Sequence, residues 1–81
     1  MISKDSEIEI PSRLKRTAKK FRLTMRETEV VAVAMHDSTR KIIADRLGIS
    51  INTVDFHLKN IFQKVGAHTR GGLITATYAN Q

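Results

Sequence analysis

Cysteine is absent from the 81 residues, which removes any disulfide framework and any thiol chemistry. No apolar run approaches the ~18 to 20 residues of a membrane span. The first ten residues, MISKDSEIEI, are polar and mixed in charge, unlike a secretory leader, so a cytoplasmic location is expected. Proline occurs once, at Pro11, and glycine four times, at Gly48, Gly66, Gly71 and Gly72. None of these glycines builds a phosphate-cradling loop. His36, His57 and His68 stand too far apart for a zinc pair, so neither a metal nor a cofactor is expected. The carboxylates are scattered among basic neighbours, and no nucleophile is spaced to meet a base. An enzyme is not expected.

What is present is positive charge. The net charge is +6, with a pI near 10.2, which suits a polyanionic partner. The charge is uneven: residues 1–23 carry +4, and residues 24–81 only +2. The chain is long enough for one domain with a small core.

The most informative stretch is KIIADRLGISINTVDFHLKNIFQKV, from Lys41 to Val65. A first helix ends at Arg46-Leu47, where Gly48 can adopt the left-handed conformation of a helix end. Ile49 can fold back onto that helix, and Ser50 can cap the next. The second helix then runs to Val65 without glycine or proline. Val54, His57, Leu58, Ile61 and Val65 fall on one side at spacings of three and four, which marks the core face. Asn52, Phe56, Lys59 and Gln63 face the other way, flanked by Asp55 and Asn60. Two helices joined by a short glycine-containing turn form the helix-turn-helix plan, whose second helix enters the DNA major groove.

LTMRETEV (Leu23 to Val30) followed by Lys41 to Arg70 resembles the LuxR-type helix-turn-helix domain, also called GerE-like or NarL/FixJ-like. The resemblance spans Leu23 to Ala79 and is carried by many marks. They include Leu23-Thr24, Arg26-Glu27, Ile43-Ala44, Ile49-Ser50, Thr53-Val54, His57, Asn60-Ile61, Lys64 and Arg70. It implies an all-α, four-helix DNA-binding domain at residues 23–81, acting as a dimer that regulates transcription. In the family this is commonly the output domain of a response regulator. The chain would then be an excised domain or a small single-domain regulator. The chain departs from the family pattern at three places. His36-Asp37 stand where glycine is usual, Ile42 where Glu is usual, and Asp55 where Lys or another donor is common.

Residues 1–22 read as a tail or linker, flexible or partly helical. Within them Leu14, Ala18 and Phe21 lie at helical spacing among lysines and arginines. That segment is either a short basic helix touching phosphates or a solvated linker. Thr24-x-x-Glu27 is a capping box opening the first firm helix, with Val30, Val33 and Ala34 as its apolar stripe. Thr39 is expected to cap the second helix, and Thr69 the last.

Binding should divide into positioning and reading. Positioning at phosphates is expected of Arg40, Lys41, Thr53, Lys64 and Arg70. Reading is expected of Asn52, Asp55, Phe56 and Lys59: Lys59 at guanine, Phe56 at a thymine methyl, Asp55 at a cytosine amino group. Asp55 could instead be a surface charge paired with Lys59 at i,i+4. Ile74 and Tyr78, one turn apart on the last helix, are expected at a homodimer interface, or else within the monomer. The implied partners are a pseudo-palindromic double-stranded DNA site and a second copy of the chain, with RNA polymerase as a further candidate. The bound protein would associate with the nucleoid. Two alternatives remain: a sigma-factor-like promoter-recognition domain, and a protein-interaction module that keeps the fold without binding DNA.

Overall fold

Helix ends in this chain are written in side chains. In the computed structural model, which describes residues 8–36 and 38–79, each of four helices opens on a hydroxyl that accepts from a first-turn N–H. Thr24 caps α2 (Met25–Ala34), Thr39 caps α3 (Arg40–Leu47) and Ser50 caps α4 (Ile51–Val65), while the Thr69 hydroxyl accepts from Gly72 at the start of α5 (Arg70–Ala79). Such caps satisfy N–H groups that the helix itself leaves free, each worth about 1 kcal/mol. The Thr24–Glu27 capping box is complete in both directions. Gly48 (φ 69°) and Gly66 (φ 80°) close α3 and α4 in the left-handed conformation. At the first of these the Ile49 N–H returns to the Ala44 carbonyl at 3.0 Å, and Ile49 packs against the core.

The basic segment before Leu23 is a helix, α1 (Ser12–Phe21). It follows Pro11, whose fixed φ suits a helix entry, and ends on Arg22, a non-glycine residue at φ 59°. Leu14 and Thr17 of α1 are fully buried, and the helix packs on α5 and α2. Ahead of it Ile8 is buried and Ile10 packs against the core. The helical periodicity sought in this stretch misses them because the I-E-I pattern has the period of two of extended chain. Residues 1–7 and Asp37 lie outside the described residues, so the His36-Asp37 turn is described only as far as His36.

α2 is the axle. It contacts α1, α3 and α4, and every residue from Glu27 to Ala34 is buried. A one-sided stripe of Val30, Val33 and Ala34 therefore understates it. Thr28 and Glu29 are tolerated inside because the Thr28 hydroxyl donates to the Thr24 carbonyl and Glu29 pairs with Arg26. Ile43, Ala44 and Leu47 of α3, Val54, Leu58 and Ile61 of α4, and Leu73 of α5 complete the core. No strand occurs among the described residues, and no helix there is long and apolar enough to cross a membrane.

Candidate nucleic-acid interface

α3 and α4 form the helix-turn-helix, and their mutual packing is the most extensive between any two helices. With Val54, Leu58 and Ile61 turned inward, α4 presents Asn52, Phe56, Lys59 and Gln63 to solvent. Phe56 is 62% exposed, its ring edge-on to His57 at 5.8 Å. Among the described residues Asn52 and Lys59 form no side-chain hydrogen bond, so their donor and acceptor groups are unspent. Val65 and His57, assigned to the core side, are only half-buried.

The expected phosphate-contacting residues divide into two groups. Lys41 and Thr53 lie at the starts of α3 and α4. Lys41 is well exposed and only loosely paired, 3.5 Å from Asp45. Thr53 shares a 2.9 Å hydroxyl contact with Ser50. Lys64 and Arg70 are engaged within the fold. The Lys64 ammonium donates to Glu27 Oε1 at 2.7 Å and to the Arg22 carbonyl at 3.2 Å. The Arg70 guanidinium donates to the Ser38 carbonyl. Burial raises the Glu27 carboxyl, but the Lys64 hydrogen bond and charge and the Thr24 N–H and hydroxyl outweigh it, holding the pKa below the ordinary value.

Arg40 and Asp55 meet across the two helices. Arg40 Nη1 lies 2.7 Å from both carboxylate oxygens of Asp55. The i,i+4 pairing of Asp55 with Lys59 is thus replaced by a cross-helix pair. Sequence reading missed it because the partners are fifteen residues apart, and only the angle of the turn brings them together. Beside this pair a groove of about 630 Å³ runs along α4, floored by Leu58, Phe62 and Ala67 and rimmed by Lys59 and His68. On α5, Leu73 and Thr77 face the core. Ile74 is half-buried, and Tyr78 is 47% exposed with the Arg13 guanidinium 4.5 Å from its ring centroid. No group of residues able to hold a metal ion occurs among the described residues.

A family model for GerE, the luxR family of bacterial regulatory proteins, matches residues 22–77, which contain α2, α3, α4 and most of α5. The chain belongs to the luxR family. Membership places it among regulatory proteins and not among enzymes. It is 48% identical over 48 residues to the probable transcriptional regulatory protein SgaR of Hyphomicrobium methylovorum, covering 59% of this chain and 23% of that protein. It is 39% identical over 56 residues to the monoamine regulon transcriptional regulator of Klebsiella aerogenes, covering 69% and 25%. With the spore germination protein GerE of Bacillus subtilis it shares 46% over 48 residues, covering 59% and 65%. The chain thus spans about a quarter of the length of the first two relatives. No solved structure matches it. The luxR-family segment begins at Arg22, so α1 lies ahead of it yet is packed into the same core.

Proposed function

We propose that this luxR-family chain binds double-stranded DNA sequence-specifically as a homodimer and thereby regulates transcription. The observation that carries the reading is the outward face of α4: Asn52, Phe56 and Lys59 are exposed side by side on a helix fixed at both ends by Ser50 and Gly66. Lys59 can donate to guanine O6 and N7, Asn52 can pair with adenine, and Phe56 can meet a thymine methyl. Lys41 and Thr53, at helix starts where free N–H groups favour anions, fix the register on phosphates. Lys64 and Arg70 reach phosphates with the N–H groups left after their internal bonds. Ile74 and Tyr78 on α5 pair two copies, so the site is pseudo-palindromic with half-sites about one helical turn apart. RNA polymerase is a further partner, and the place of action is the nucleoid. Residues 23–81 form the DNA-binding domain, and residues 1–22 form the linker ahead of it, with α1 as its docked part.

The test is duplex binding against salt, on selected and scrambled sequences. Binding as proposed gives log K falling linearly with log salt, by about 0.9 per neutralised phosphate, and a selected sequence preferred at every salt. A second reading, a protein-interaction module, is favoured by the apolar groove beside α4. It is supported if no duplex binds at low salt.

A further inference from the structure

Arg40 is the first residue of α3, and Asp55 lies in the second turn of α4, flanked on the same face by Asn52 and Lys59. We infer that Asp55 is a positioning residue: it draws the Arg40 guanidinium onto the reading face of α4, where Arg40, and not Asp55, meets a guanine edge. This rests on the DNA-binding reading above.

Geometry, charge and exposure support it together. Arg40 is tethered to both Asp55 oxygens through Nη1 alone. Nη2 and Nε have no partner among the described residues, and their N–H groups form one straight edge of the guanidinium. That edge is the fork that matches guanine O6 and N7. Both oxygens of Asp55 already accept from Arg40, so a cytosine amino group would have to compete with a charged donor at 2.7 Å. The pair is electrically neutral as a unit. Docked at a phosphate it would release little counterion, whereas at a base edge it spares the site the repulsion of a lone carboxylate. At 57% and 44% side-chain exposure the pair contributes little to folding, so fold stability does not account for it. Asp55 has a nearer cation in sequence, Lys59, yet among the described residues Lys59 has no ion pair and is available to the same base row.

The experiment is a binding selection on randomised duplexes, with Kd against salt, for the whole chain and for Arg40→Ala, Asp55→Ala and the double variant. Circular dichroism checks that each is folded. Both single variants should lose discrimination at the same G·C pair, by about tenfold or more. The double variant should lose no more than either single one. The salt slope of Arg40→Ala should match that of the unaltered chain. The slope of Asp55→Ala should steepen by up to about one phosphate's worth, because Arg40 is released to the backbone. Arg40→Lys should not restore discrimination, since an ammonium lacks the fork. Losses at different base pairs that add in the double variant would mean that Asp55 reads DNA directly, and would overturn the inference. So would a slope in Arg40→Ala lower by about one phosphate. Failure of the unaltered chain to bind any duplex is a different result, and removes the DNA-binding reading itself.

Discussion

Replacing Lys64 with methionine keeps the aliphatic stem and deletes the charge. In the native fold the ammonium sits 2.7 Å from a Glu27 carboxylate whose side chain is only 5% exposed, and it also satisfies the Arg22 carbonyl. Without it Glu27 keeps the Thr24 N–H but loses its only charged partner among the described residues. Lys64 itself is 34% exposed, so water partly replaces it, and the full penalty of breaking a deeply buried pair does not apply. A lost hydrogen bond to a charged group sets the scale at about 1.5–3 kcal/mol. For a domain of this size that lowers Tm by roughly 6–24 °C. The assay is urea unfolding at pH 7, followed by circular dichroism. The pH dependence gives a second readout. A carboxyl held below its ordinary value of 4.5 contributes stability that is present above that value and lost as pH falls through the lower, folded one. In Lys64→Met burial is no longer offset and the Glu27 pKa rises, so the acid-labile contribution of Glu27 is lost, the acid limb becomes shallower, and the deficit relative to the unaltered chain shrinks as pH falls. A loss under about 0.5 kcal/mol, the level of an ordinary surface change, with an unmoved acid limb would refute the argument.

Three further outcomes are expected. Phe56→Ala should lose affinity mainly at sites with thymine in the contacted position and barely change the salt slope; equal loss on all sequences would remove Phe56 from base reading. Ile74→Asp or Tyr78→Asp should leave the helical signal intact while abolishing dimers on DNA in sedimentation, and loss of helix would instead make those residues part of the core. Leu14→Ala should destabilise the chain by about 2.5–5 kcal/mol, because Leu14 is fully buried, and a loss below 1 kcal/mol would make α1 a detachable arm.

Local signals in the sequence carried far. The capping hydroxyls of Thr24, Thr39, Ser50 and Thr69 and the left-handed turns at Gly48 and Gly66 were legible because each depends on residues within a few positions. So was the inward side of α4 at Val54, Leu58 and Ile61, since one face of a helix repeats at a fixed period. The four helices from Thr24 onward and the family were visible for the same reason. The complete enclosure of α2 was not, because periodicity reads one face and cannot count the neighbours on the others. Neither were the Arg40–Asp55 and Glu27–Lys64 pairs, whose partners are fifteen and thirty-seven residues apart. Charge alone offers every cation to phosphate, and only the packing of α3 and α2 against α4 reveals which of them also bond within the fold. The docking of α1 escaped for another reason: its lysines and arginines dominate its composition, while Leu14 and Thr17 alone carry its fully buried side.

The contrast between α2 and the outer side of α4 bears on how such a protein could change its target over generations. α2 is enclosed by neighbours, so most substitutions there strike at folding itself. Among the described residues Asn52 and Lys59 form no side-chain hydrogen bond and Phe56 meets only the His57 ring edge, so replacing them should shift stability by no more than about 0.5 kcal/mol. On the proposed reading, single steps at these three sites could explore new operators without passing through unfolded intermediates. Arg40 and Asp55 follow a different rule. A change at one strands the charge of the other, so their variation should come in linked pairs, which makes that corner of the operator the slowest to drift.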